Sequence, residues 1–545
     1  MARWPWWLSG AIAILLIASA TLMPLLAMIR EAGSIQWTEV LGNTYIQRVI
    51  RFSIVQATIS TVLSLATAIP VALALSHKPG FPGRSLVVTV FSLSLVIPTI
   101  VAIFGIVAVF GRTGWFNAAL SVFSFAPMGF YGLPGILIAH VFFNMPLATR
   151  ILLSGLEGIP EDNWRLCRQL GMQPWSIFRH IEWHRIKARL PGLALLIFTL
   201  CFTSFAIVMT LGGGPRSTTI EVAIYQSLRF DFDIQMAVAL ASIQLLICLA
   251  LMALSTLIRH DGTLGFHLFM PAHTPHPGHL HNDLKSRLWD GPMWNAAHWS
   301  VIVTASLFVL LPLLAMALSA FNSKTIAVLT DPSTLLASIN TLLVALVAAT
   351  LSVTLALGIL NSTRHMRTRL GLERTGQWVQ LSGNVILVLP PLVLGTGLFL
   401  LLRTVADVFS LALVLVVIIN SLMALPFVLR ILNDEVMNAA SHDDRLLQSL
   451  GIQGWNRWRL IDWPQLRRPL SLSFALSATL AAGDLSAIAL FGSERVRTLP
   501  LLLYQRMGSY RLEEAAVTAG MLLALCLLLY VVIQWLLGGR RHAAT

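Results

Sequence analysis

Twelve stretches of this 545-residue chain are apolar for about the 17–25 residues that a helix needs to cross the hydrocarbon of a bilayer. They fall near 8–29, 53–75, 86–110, 130–149, 190–211, 237–257, 299–320, 334–360, 383–402, 408–430, 470–491 and 517–537. In lipid every backbone N–H and C=O must find a partner inside its own segment, so each stretch reads as a helix. Composition agrees: 56% of residues are hydrophobic and 11% charged, where soluble domains carry about 25% charged residues. The expected fold class is all-α, a polytopic membrane protein with twelve transmembrane helices. The first stretch is too long for a signal-peptide core and lacks a small-residue cleavage pattern, so it is expected to be retained.

The twelve stretches divide as six plus six, and the division is a repeat. Arg165–Ile186 reads RLCRQLGMQPWSIFRHIEWHRI, and Arg445–Leu466 reads RLLQSLGIQGWNRWRLIDWPQL, 280 residues later. Glu182 corresponds to Asp462, so the acid is kept. Pro146 and Arg150 match Pro426 and Arg430, Pro98–Gly105 matches Pro390–Gly397, and Tyr225-Gln226 matches Tyr504-Gln505. Six spans return a chain to its starting side, so the halves are parallel, related by an axis along the membrane normal. The expected domains are 1–258, a linker over 259–298, and 299–545.

Each copy of the duplicated loop reads as two short helical pieces. Gly171 and Gly451 suit the left-handed residue that ends the first piece. Pro174 suits the first turn of the second. Such a polar, aromatic loop between apolar spans suggests a pair of docking surfaces for a two-fold partner. With both termini placed in the cytoplasm, about two thirds of the 37 Lys and Arg residues fall on the cytoplasmic side, with both docking loops. The 495–511 segment, with four Arg on the outer side, fits this arrangement least well.

The net charge of +13 could suggest nucleic acid, but the basic residues cluster in loops as topology requires, so no nucleic-acid partner is expected. The four cysteines are scattered without CxxC spacing. HTPHPGHLH in the linker holds histidines without ordered helical spacing, and the linker reads as a joint; no metal or cofactor is expected. No G-x-x-x-x-G-K-[ST], nucleophile elbow or HExxH occurs, so the chain is expected neither to cradle nucleotide phosphate nor to be an enzyme.

The twin loops resemble the EAA loop of ABC importer permeases. In that pattern E-A-A is followed by three residues and Gly. Gly171 and Gly451 take the Gly position, with Arg165-Leu166-Cys167 and Arg445-Leu446-Leu447 on the E-A-A positions, so Arg replaces the acid twice. The resemblance implies a type I importer permease with two fused halves, of the kind that resembles ferric-iron or thiamine permeases. His140–Leu153, Leu211–Leu228, Ala489–Arg511 and Phe104–Trp115 look most like the thiamine permeases of Gram-negative bacteria.

That resemblance implies a multi-pass inner-membrane protein serving as translocation subunit. It implies two copies of a separate ATP-binding subunit, a periplasmic thiamine-binding protein, a small-molecule substrate (thiamine and its phosphates) and contact with membrane lipid. The ATPase-docking candidates are Arg165, Leu166, Gly171, Trp175 and Phe178, with Arg445, Leu446, Gly451, Trp455 and Trp458. Two alternatives stay open at this point: a fused ferric-iron permease and a six-plus-six secondary transporter. The latter resembles G-x-x-x-D-R-x-G-R-R after its second span, where Ser76–Arg84 reads SHKPGFPGR.

Asp484 lies inside the eleventh stretch, where an acid costs about 2.5–3.5 kcal/mol on insertion scales and should face a polar interior. Its counterpart is Ser204. Both are candidates for the translocation path. The residues leave two readings of Asp484: it pairs backbone groups freed beside Gly483, or it favours a cationic substrate.

Overall fold

The computed structural model describes residues 6–538 except 34, 94–96, 259–288, 290, 384, 385, 387, 388, 406, 450–455, 457, 494 and 495. The described residues are helical, with no strand among them. The principal helices of the first half are α1 (Trp6–Ala32), α2 (Thr44–His77), α3 (Thr99–Phe110), α4 (Leu133–Glu157), α5 (Trp183–Phe202) and α6 (Ile234–Ile258). Those of the second half are α7 (Pro292–Ser319), α8 (Pro332–Arg369), α9 (Pro391–Leu402), α10 (Ala412–Ser449), α11 (Trp463–Gly483) and α12 (Leu512–Gly538).

Ten segments among the described residues are long and apolar enough to cross a membrane, and an eleventh is a bent pair, Pro174–Phe202 with Phe205–Leu211, turning by 52°. Where 86–110 and 383–402 were expected as single spans, the structure has shorter helices. Pro98 caps α3 and Pro390 caps α9, and each helix runs for 12 residues. Proline lacks an N–H and disfavours the α region for the residue before it, which suits the start of a helix better than its interior, and both helices begin at these prolines. At about 18 Å, α9 alone does not reach across a bilayer. The expected linker also ends early: α7 starts at Pro292, so 292–298 belong to a helix. The HTPHPGHLH run lies outside the described residues.

Sequence halves and packing units do not coincide. The opening helix α1 packs on α8 and α9 of the second half, and α7, which opens the second half, packs on α2 and α3 of the first. Helices α6 on α9 and α12 on α3 complete the set, so each major crossing between halves has its counterpart. A two-fold repeat demands this.

Glycine permits the exchange where the helices come closest. Both opening helices carry an internal proline, Pro24 in α1 and Pro312 in α7. A Cβ on Gly397 would lie 2.7 Å from the Pro24 carbonyl oxygen, and one on Gly105 would overlap the Pro312 carbonyl. These are the glycines of the two Pro-x6-Gly motifs. Apolar attraction between helices is weak in lipid, so close backbone contact at small residues carries much of the association. Further along the same seam, a Cβ on Gly358 would lie 2.8 Å from the Ser9 carbonyl oxygen.

Short helices repeat the symmetry. The first N–H of Ile220–Arg229 donates to Ser53 Oγ of α2 at 2.9 Å, and that of Leu499–Gly508 donates to Thr341 Oγ1 of α8 at 2.8 Å. Gly105→Ala and Gly397→Ala should each destabilise the protein by about 1–3 kcal/mol, the usual cost of overpacking. Thermal unfolding in detergent checks this; Gly508→Ala, where no atom lies near the added Cβ, serves as the control and should unfold as wild type.

Candidate functional site

The first docking loop begins where Gly158-Ile159-Pro160 ends α4. Glu161–Gln169 then forms a helix that buries Trp164 and Cys167 and exposes Leu166 and Leu170. Arg165 spends its charge locally, 2.9 Å from Glu161. The helix stops in a Schellman motif: Gly171 N–H donates to the Arg168 carbonyl at 3.1 Å, and Met172 N–H to the Cys167 carbonyl at 3.0 Å. Gly171 sits at φ +60° with open space around it, so backbone conformation alone demands glycine there. Burial pushes the Cys167 thiol above its ordinary pKa, which keeps it an inert packing group.

Pro174 opens the turn Pro174–Ile177, as expected, and this runs straight into a π-helical turn, Phe178–Glu182, and then α5. The Trp175 ring lies 5.4 Å from Phe178, which lies 6.0 Å from Trp183. Trp175 is 65% exposed and Leu170 66%. A strongly basic loop thus presents an apolar, aromatic face that nothing in this chain covers among the described residues.

The second loop is built differently at its entrance and alike at its exit. Helix α10 continues unbroken to Ser449, because Ala440 stands where the first half has Pro160. Arg445 and Leu446 fall on its last turns. Gly451 and Trp455 lie outside the described residues. Trp458 starts a second π turn, Trp458–Asp462, at the same place in the repeat as the first.

Both π turns end on an acid whose role the sequence reading missed. Glu182 is fully buried, and its carboxylate accepts from His77 Nε2 at 2.6 Å. Asp462 pairs with Arg364 at 3.2 Å. The retained acid in the repeat was the available signal; the partners on α2 and α8 were not, because nothing in their local sequence marks them.

Deeper in each half, α5 and α11 break at the same position of the repeat. Ser204 donates to the Cys201 carbonyl at 2.8 Å and lies 2.8 Å from His140 Nε2, whose Nδ1 is 2.7 Å from Ser60. Asp484 accepts from the N–H groups of Ser486 and Ala487, at 3.1 and 3.0 Å, and so caps the short helix Ser486–Phe491. Asn420, the repeat counterpart of His140, reaches the Ala481 carbonyl at 3.5 Å. Polar side chains thus pair the backbone groups that each break frees. A Cβ on Gly483 would lie 2.9 Å from Pro98, so the second break touches the first half. A further buried acid, Glu221, accepts from Gln244 at 2.9 Å.

On the face opposite the docking loops, Arg506 is buried. It donates to Asp331 at 3.0 Å and Thr334 at 2.7 Å and also reaches Thr518. Hydrogen bonds from Ser333, then Thr334, with the Arg506 charge, hold the Asp331 carboxyl below its ordinary range. This arginine ties α8, α12 and Leu499–Gly508 together, which accounts for its place on the side where few basic residues are expected. Among the described residues no cluster of His, Cys, Asp or Glu could hold a metal ion.

Two exchanged helical halves, each carrying a copy of one polar, aromatic loop, make up an integral membrane protein. Residues 66–261 match the family described as binding-protein-dependent transport system inner membrane component. Three relatives span nearly the whole chain, each a thiamine transport system permease protein. That of Salmonella typhimurium is 40% identical over 544 residues, 99% of this chain and 98% of the relative. That of Brucella abortus is 41% identical over 540 residues (98% and 96%), and that of Escherichia coli 40% over 537 (98% and 97%). The chain belongs to the family of thiamine transport system permease proteins, the inner-membrane permease subunits of ABC importers. It is a multi-pass translocation subunit that works with an ATPase and a binding protein, and ATP hydrolysis resides on a separate chain.

Gly171→Pro fixes φ near −65° where the loop needs +60°. It should abolish substrate-stimulated ATP hydrolysis while the protein still reaches the membrane. Gly171→Asn, which tolerates the left-handed region, should keep at least half of the stimulation. Hydrolysis by the reconstituted complex, with and without loaded binding protein, reads both.

Proposed function

We propose that this chain carries thiamine, and its phosphate esters, across the inner membrane by alternating access. The observation that carries the reading is the full-length likeness to proteins named for thiamine transport, at 40–41% identity. Ferric iron and ion-driven carriage have no comparable support.

In this reading both docking loops and both termini face the cytoplasm, and the chain functions as two halves, 1–258 and a second that opens with α7 at Pro292. Two copies of the ATP-binding subunit dock, one under each loop. Leu166, Trp175 and Phe178 supply apolar contact, Gly171 shapes the loop and Arg165 borders it. Arg445, Leu446, Gly451, Trp455 and Trp458 do the same in the second copy. Closure of the ATPase pair drives the loops together, and the spans turn outward to take substrate from a thiamine-binding protein on the far side. Asp484 and Ser204 lie beside the path, at the two equivalent breaks of the repeat. A capping carboxylate has lone pairs beyond the two N–H groups it accepts, so Asp484 can both hold its helix and attract the thiazolium cation.

Reconstituted with the ATPase and a thiamine-binding protein, the complex should hydrolyse ATP faster when thiamine is added. A ferric-ion-loaded binding protein should leave the rate unchanged, and the reverse pattern would contradict the reading. Asp484→Asn keeps one of the two capping acceptors and removes the charge. Uptake of labelled thiamine should fall about tenfold, near 1.4 kcal/mol, in a complex that still assembles; wild-type uptake would eliminate a charge role.

A further inference from the structure

We propose that Glu182 and Asp462 are positioning residues that clamp each docking loop to a span, so that loop and span move as one body. This rests on the docking reading above and goes beyond it by naming the joint through which force passes.

Each acid is the last residue of its π turn. Each is held by a basic side chain near the docking-loop end of the corresponding span: His77 closes α2, and Arg364 lies in the last turns of α8. The contacts are short, 2.6 and 3.2 Å, and both acids are buried. A π turn is the second observation. It carries one more residue per turn than the α-helix it interrupts, is costly, and tends to persist at functional positions. Here it occurs twice, at the same repeat position, and each time it delivers the acid to its partner. A buried charge–partner pair is weak evidence of stability but strongly resists separation, because parting the two leaves a charge uncompensated. That is the property a force-bearing joint requires.

The two clamps are not identical. The first is an imidazole stacked on Trp289, with centroids 3.9 Å apart, and His77 Nδ1 lies 3.1 Å from His298 Nε2. The two contacts are met with His77 Nε2–H donating to Glu182 and His298 Nε2–H donating to His77 Nδ1, and equally by a protonated His77 that donates from both ring nitrogens. Trp289 lies just before α7, and His298 belongs to α7, which packs on α2 and α3. The first clamp therefore also holds the exchanged helix of the second half. The second clamp is an ion pair.

The test uses the complex with its ATPase, purified in nanodiscs. The wild type is scored first: absence of the ATPase from that preparation overturns the docking reading itself. Asp462→Arg and Arg364→Asp are then compared with the double exchange. Each single variant should keep the ATPase at the wild-type ratio and lose tenfold or more in substrate uptake and in the ratio of stimulated to unstimulated hydrolysis. The double exchange should recover at least half of both. Wild-type uptake in the singles, or loss of the ATPase from them, overturns the clamp. If the charge-reversed chains do not reach the membrane, Glu182→Gln and Asp462→Asn, which keep shape, decide it. Reduced uptake with the ATPase bound supports the clamp, and full uptake overturns it.

Discussion

The rest of the structure depends on two glycines lying against two helices at their internal prolines. Gly397 admits the Pro24 segment of α1, and Gly105 admits the Pro312 segment of α7. A side chain at either glycine would push the crossing apart, and in lipid no strong apolar force would restore it. Because the exchange is reciprocal, neither half can close its packing without a helix from the other. The exchange ties the halves together at both flanks.

The second constraint is that lipid forgives no unpaired backbone. Both α5 and α11 break inside the membrane region, and side chains pair backbone groups at both breaks: Ser204, itself held by His140, in one half, and Asp484 and Asn420 in the other. Irregular backbone at such depth is tolerated where protein or an aqueous path surrounds it. The half-helices and their polar caps lie at equivalent points of the two halves, and the second places a carboxylate where the first has a serine.

Much of this was legible in the residues. Apolar length placed the helices, Gly171 and Pro174 placed the docking loop's turn, and the Pro-x6-Gly repeat pointed to paired structural positions. Some boundaries were not legible. The stretches 86–110 and 383–402 read as whole spans because hydropathy does not register Pro98 and Pro390 as stops. Asp484 read as an acid to be explained, and only the three-dimensional break shows what it caps. The exchange of α1 and α7 and the clamps at His77 and Arg364 join residues more than 95 positions apart. No local pattern encodes such pairs; the retained acid at Glu182 and Asp462 showed that something mattered there, without its partner.

We infer that the duplicated loops are two seats for one kind of ATPase subunit, on one face of the chain. A cryo-electron-microscopy structure of the chain purified with its ATPase tests this directly. Two ATPase copies are expected, one covering Trp175 and the other covering the segment around Trp455, with both loops on the same side of the membrane. A single ATPase copy, or a complex in which either loop stays exposed to solvent, would contradict it.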